Sequence, residues 1–244
     1  MTGVWKLVIE SGGEELLLKL ANDVSTLSGE ASSRRMGTIG ITNATVSGDA
    51  ISWVVPVRTP IAIDLAFSVQ VDGDTIAGES RAGNYGSSVV RGYRGTASDW
   101  VPWPAPHIHR SAVCLPDGTE IIAVSYDEND PYRRDRSPDF GLYLDRRWVP
   151  PWSHAHLEWP DLGLPVEPET IVPGLHDLLH RARRGQCVEI GCLGAHGRTG
   201  TALAWLAILT GEPSESAVSW VRANYCPLAV ETQEQEVFVA QLHP

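Results

Sequence analysis

Several things are scarce in this 244-residue chain, and each scarcity narrows what it can be. No apolar run approaches the roughly 20 residues of a membrane-spanning helix; the longest, near Ala202–Leu209, falls far short. There are only 4 cysteines, Cys114, Cys187, Cys192 and Cys226. They are widely spaced and form no Cys-x-x-Cys pair, so neither a disulfide framework nor a thiolate zinc knuckle is expected. Positive charge is also sparse, with 19 basic against 30 acidic side chains and a net charge of −11. Residues 1–98 carry 8 basic and 10 acidic side chains, and residues 99–244 carry 11 and 20. With no basic stripe, neither nucleic acid nor an anionic membrane is an expected partner. The opening Met1–Lys6 has neither the charged nor the apolar region of a secretion signal. These absences set the expectation of a soluble cytoplasmic protein.

What is present is enough apolar residue, 43%, for a sizeable core, on a length suited to two domains. Up to about Gly95 the pattern has period two. Val46-Ser47-Gly48-Asp49-Ala50-Ile51-Ser52 recurs as Val71-Asp72-Gly73-Asp74-Thr75-Ile76-Ala77, each copy a Gly-Asp turn between branched residues. Trp5–Ile9 and Glu15–Leu20 read as an opening hairpin. About eight short strands at this density predict an antiparallel β-barrel or sandwich over residues 1–96. The Gly3-x-Trp5 start and the Gly-Asp hairpins resemble a small lipocalin-like barrel. Thr96–His107, with Trp100, Trp103, Pro102, Pro104 and Pro106, breaks both helix and strand and predicts a linker or strap.

Beyond it, residues 97–244 interleave strands and helices, which predicts an α/β domain with a central, largely parallel sheet. Ile108–Leu115 and Thr119–Ser125 read as a hairpin around Pro116-Asp117-Gly118, and Phe140–Trp148 as a strand. Helices are expected at about Pro168–Arg184, Thr201–Leu209, Ser214–Tyr225 and Thr232–Leu242. Between an apolar strand, Gln186–Gly191, and the second helix lies Cys192-Leu193-Gly194-Ala195-His196-Gly197-Arg198-Thr199-Gly200. A strand–loop–helix turn aims successive N–H groups at a concavity by the helix N-terminus, an anion site. Such a field favours the Cys192 thiolate. Arg198, six residues on, can fork two donors onto a tetrahedral oxyanion.

This loop resembles that of the protein tyrosine phosphatase superfamily, Cys, five residues, Arg, then Ser or Thr. Trp159-Pro160-Asp161-Leu162-Gly163-Leu164-Pro165 is similar to the family's mobile acid loop, in the family's order ahead of the Cys. Glu231-Thr232-Gln233-Glu234-Gln235 stands where the family carries a water-positioning Gln loop. The resemblance implies a phosphomonoester hydrolase with a phospho-cysteine intermediate and no cofactor or metal, acting on a phosphorylated protein or peptide. In it Cys192 is the nucleophile and Arg198 the oxyanion clamp. Asp161 is the general acid, Thr199 eases thiolate departure, and Gln235, with Gln233 as the other candidate, orients water. The backbone of Leu193, Gly194, Ala195, His196, Gly197 and Arg198 cradles phosphate.

The chain departs from that pattern at Gly191, where the family carries His, at Ala195, where it favours Gly, and at Glu231, often Gln. These departures leave open a phosphate-recognising module without turnover, or a different reaction, acyl or peptide-modifying, at Cys192. Pro138-Asp139-Phe140-Gly141 repeats the acid-loop spacing without its Trp, so Asp139 is a decoy for Asp161. Three histidine pairs, His107/His109, His154/His156 and His176/His180, have metal-compatible spacing. No third ligand is fixed by sequence, and no metal is expected. Trp148, Trp152 and Trp159 could line a cleft, but packing is their expected use.

Overall fold

The computed structural model describes residues 1–11, 13–23, 26–58, 62–105 and 107–242. The chain divides into two compact units, Met1–Pro106 and His107–Pro244.

The first unit is one antiparallel sheet of nine strands: β1 (Gly3–Ile9), β2 (Glu14–Asp23), β3 (Thr26–Ser33), β4 (Gly37–Gly40), β5 (Thr42–Ser47), β6 (Ala50–Val57), β7 (Ile63–Asp72), β8 (Thr75–Ala82) and β9 (Ser87–Arg94). Its order is β4-β3-β2-β1-β9-β8-β7-β6-β5. The two edge strands, β4 and β5, are separated only by Ile41, whose N–H donates to Gly29 O (3.0 Å). The sheet therefore curls until its ends meet in a nearly closed barrel, leaving little edge open to pairing. Alternation builds the core. In β6, Ile51, Trp53, Val55 and Val57 point inward, and Trp53 stacks on Phe67 of β7 with centroids 4.9 Å apart. The opening hairpin pairs Trp5 with Leu18 and Leu7 with Leu16, all four buried. Gly48 and Gly73, at φ 60° and 57°, make the two Gly-Asp turns, a left-handed conformation that costs glycine least.

The Trp/Pro segment is not a free linker. After a single 3₁₀ turn (Ala97–Asp99) its backbone seats on β3 and β4: Ser32 Oγ donates to Val101 O (2.7 Å) and the Thr38 N–H to Trp103 O (3.0 Å).

The second unit has a five-stranded sheet, order β10-β11-β14-β12-β13, from β10 (Arg110–Cys114), β11 (Glu120–Ser125), β12 (Phe140–Tyr143), β13 (His154–His156) and β14 (Val188–Cys192). The hairpin β10–β11 is antiparallel and every other pairing is parallel. The expected strand at 140–148 stops at Tyr143, and β13 was not foreseen. Four helices accompany the sheet: α1 (Pro168–Arg183), α2 (Gly197–Leu209), α3 (Ser214–Asn224) and α4 (Gln233–Ala240). α1 is amphipathic, burying Ile171, Leu175, Leu178 and Leu179. α2 is apolar nearly all round and is buried from Gly197 to Ile208, so it is the central helix of the unit. Because β11, β12 and β14 run parallel, their C-terminal ends bring Ser125, Leu144-Asp145 and Cys192 to one edge of the sheet. In open α/β sheets that edge is where ligands bind. Trp148 packs inside this unit, stacked on Tyr143 at 4.5 Å.

Candidate active site

Cys192 ends β14, and α2 starts at Gly197, so five residues form the loop between. Every carbonyl from 192 to 197 is held by the scaffold. Cys192 O and Leu193 O accept the Tyr126 N–H (3.1 and 2.9 Å). Gly194 O accepts Ser125 Oγ (3.1 Å) and Ala195 O accepts the Tyr225 hydroxyl (2.6 Å). His196 O accepts the N–H groups of Gly200 (3.0 Å) and Val230 (3.1 Å), and Gly197 O accepts Thr201 Oγ1 (2.8 Å). A trans peptide holds its N–H opposite its C=O. Six anchored carbonyls therefore turn the N–H groups of Leu193 through Arg198 away from these partners. The result is a row of donors at the start of a helix, where partial positive charge favours an anion. Ala195 sits at φ 59° to make this turn.

Arg198 closes the loop from inside. Its side chain is 5% exposed, and its Nη1 donates to Leu144 O (3.0 Å) and Trp159 O (3.2 Å). Nη2 pairs with Asp145 (3.0 Å) and Asp161 (3.1 Å). Nε is buried and donates to nothing among the described residues. Burial works against the guanidinium's charge, but Cys192, Asp161 and Asp145 outweigh it and hold the side chain protonated. Asp145 is a residue the sequence reading missed. Its only signal was an Asp at the end of an apolar strand.

Thr199 Oγ1 donates to Cys192 Sγ (3.1 Å) from the first turn of α2, whose N-cap is His196. Cys192 is fully buried. Burial pushes its thiol pKa up, against Arg198 and the Thr199 hydroxyl and N–H, and Glu231 adds to the push. The expected depression of this thiol's pKa is therefore not found. The reason is desolvation, which outweighs the pull of Arg198 and Thr199 on the thiolate.

The structure brings Asp161 and Gln235 to the same place. The Trp159 indole N–H donates to Gly163 O (2.9 Å), folding residues 159–163 into a turn that leaves Asp161 half-exposed against Arg198. Gln235 is buried; its Nε2 donates to Gly163 O (3.2 Å) and its Oε1 accepts the Glu231 N–H (2.9 Å). It also closes a capping box with Thr232 at the start of α4. Gln233 lies exposed on the first turn of α4, away from this contact. Asp139 is at the other end of β14, where its carboxylate accepts the Cys187 N–H (2.8 Å).

A Cβ at Gly191 would lie 2.6 Å from Val124 O, so a side chain there would force the neighbouring strand to shift. A Cβ at Gly197 would overlap the Glu231 carboxylate, which places that acid beside the loop.

Of the histidine pairs, His154 and His156 bond backbone carbonyls of Trp152 (2.8 Å) and Trp148 (2.7 Å), and His176 and His180 are exposed on α1. His107 and His109 instead meet His196 and Cys226. Burial first, then neighbouring histidines, lowers the pKa of His109 to about 4 and that of His196 to about 3, so both rings are neutral.

No family model matches the chain. Two uncharacterized proteins of Methanocaldococcus jannaschii do, over 110 residues each. MJECL20 is 37% identical, across 41% of this chain and 73% of its own length; MJ0215 is 35% identical, across 41% and 67%. The chain belongs to their family. Among solved structures, it is similar to a kinase-associated phosphatase bearing serine at its catalytic cysteine (15% identical, 54% of this chain and 92% of that one, TM-score 0.45). It is also similar to Tk-PTP in its active form (26%, 52% and 92%, TM-score 0.41) and to the fatty-acid-binding protein of Manduca sexta (10%, 38% and 98%, TM-score 0.27). No helix among the described residues is long and apolar enough to cross a membrane.

Proposed function

We propose that the second unit hydrolyses phosphomonoesters through a phospho-cysteine, with phosphotyrosine in a protein or peptide as the first substrate to test. The observation that carries this reading is the set of anchored carbonyls from 192 to 197, which leaves six consecutive N–H groups facing away from them beside a thiol. The buried Arg198 Nε, without a partner among the described residues, adds a cationic donor. In the reaction Cys192, having lost its proton to solvent, attacks phosphorus in line with the leaving oxygen. The loop N–H groups and Arg198 stabilise the equatorial oxygens. Asp161 gives its proton to the leaving oxygen, then takes one from the water that attacks phosphorus, forming the O–P bond as the S–P bond breaks and the Cys192 thiolate leaves. The hydroxyl of Thr199, already on the sulfur, stabilises the departing thiolate. Gln235 stands beside the acid loop and the cysteine loop, where it can orient that water.

A second reading, phosphate recognition without turnover, is favoured by one observation. The Glu231 carboxylate lies against Gly197 and would repel a dianion. Rapid-quench kinetics with an aryl phosphate separates the two. A burst of phenol equal to the enzyme concentration, with phosphate trapped on Cys192, supports hydrolysis. Phosphate affinity without a burst supports recognition alone, and an acylated Cys192 from ester substrates would move the chemistry elsewhere.

A further inference from the structure

Behind the cysteine loop, three distant segments bring four ligand-type side chains together. His107 and His109 precede β10, His196 ends the loop, and Cys226 follows α3. One donor atom from each lies within 4.8 Å of all the others. His109 Nε2 and His196 Nε2 face each other at 3.1 Å, and Cys226 Sγ lies 3.8 Å from His107 Nε2. A tetrahedral zinc site, with Zn–N near 2.0–2.1 Å and Zn–S near 2.3 Å, has N···N edges of about 3.4 Å and N···S edges of about 3.6 Å. These two observed separations are within a few tenths of an ångström of those edges. We propose that His107, His109, His196 and Cys226 form a structural transition-metal site of the zinc class, which clamps the outer side of the Cys192–Arg198 loop.

Several features prepare the cluster for a cation. Two Nε2 atoms in contact share one proton at most, whereas a metal satisfies both lone pairs. The Leu228 N–H donates to Cys226 Sγ (3.4 Å), a contact that supports a thiolate. Tyr225 packs on the His109 ring (4.6 Å) and donates to Ala195 O, so the cluster and the left-handed turn of the loop share one support. The set mixes imidazole with one thiolate, a borderline-soft donor set suited to zinc and unsuited to magnesium or calcium. Four protein ligands close the coordination sphere, and Cys192 is not among them, so the metal's role is to hold the loop. His107 is exposed while the other three are buried, which gives an ion a way in.

Cobalt(II) titration of the reduced, metal-free full chain tests the proposal without any substrate, so its outcome is independent of the phosphatase reading. The expected result is one cobalt per chain, with the intense d–d absorption of tetrahedral cobalt and a thiolate-to-metal charge-transfer band, displaced by zinc(II). Cys226→Ser should abolish the charge-transfer band, and His109→Ala should weaken affinity by at least ~10–100-fold, the usual cost of disturbing a metal's surroundings. Cys192→Ser and His154→Ala should change neither. Should the ligand variants not fold, X-ray absorption of the zinc-loaded wild type decides. Three nitrogens and one sulfur support the site, and any other sulfur count overturns it. Absence of stoichiometric binding, an octahedral spectrum, or loss of the band in Cys192→Ser would equally overturn it.

Discussion

Two carboxylates share one nitrogen of Arg198, one nearly buried and one half-exposed, and on the proposed mechanism crossed substitutions separate their roles. Asp145 is 10% exposed and lies 3.0 Å from Nη2; Asp161 is 50% exposed and lies 3.1 Å away. Removing Asp145 leaves a guanidinium that is 5% exposed with one half-solvated counter-charge. Breaking a buried pair in this way costs about 3–5 kcal/mol. The lower end applies, because Asp161 and the two carbonyls on Nη1 remain. At about 2–4 °C per kcal/mol for a chain of this size, Asp145→Ala should lower the Tm of the second unit by about 6–12 °C. Asp161→Ala removes a pair with one solvated end, worth at most about 1 kcal/mol, and should shift Tm by no more than about 4 °C. Its effect falls on kcat instead, a loss of about 10²–10⁴ with an aryl phosphate of poor leaving group. The loss should shrink as the leaving group becomes more acidic, since a stable phenolate needs no proton. Calorimetry and initial rates on both variants provide the four numbers. If Asp161→Ala proves the more destabilising, or its kcat deficit is the same for every leaving group, the assignment of the acid is wrong.

Three other expectations concern single positions. Ala195→Gly relieves a left-handed backbone costing about 1–2 kcal/mol and adds glycine's entropy cost of about 0.5–1 kcal/mol. The net gain of up to about 1.5 kcal/mol should appear as a higher urea midpoint, and a lower midpoint would refute the strain. Gly191→Ala pushes a methyl to 2.6 Å from Val124 O and should cost about 1–3 kcal/mol by the same assay; neutrality would show that β11 yields easily. The Lys6 ammonium and the Thr96 N–H and hydroxyl hold Asp99 down to about 2 from an ordinary 3.8. The folded chain thus binds fewer protons there than the unfolded one, so this contribution is complete above about pH 4 and is lost as pH falls toward 2. Asp99→Asn should flatten that part of the barrel's acid unfolding curve, and unchanged curvature would exclude the linkage.

Much of this molecule is legible in its sequence because the signals are local. Period-two alternation with Gly-Asp turns specified the barrel strands, and Trp5, Leu7, Leu16 and Leu18 did face inward as alternation requires. The apolar strand, glycine-bearing loop and apolar helix around Cys192 were equally local, as was the interleaving that gave a largely parallel second sheet. Chain order also ranked Asp161 above Asp139, and the structure puts the two at opposite ends of β14. Tertiary structure alone decided the rest. Asp145 joins Arg198 across 53 positions only because β12 and β14 are parallel neighbours. The thiol's upward shift comes from burial, with the distant Glu231 carboxylate adding to it, neither of which a motif encodes. His109 meets His196 across 87 positions, and His107 meets Cys226 across 119. Periodicity reports which face of an element is apolar. Which distant side chains share a few cubic ångströms is settled only when the elements pack.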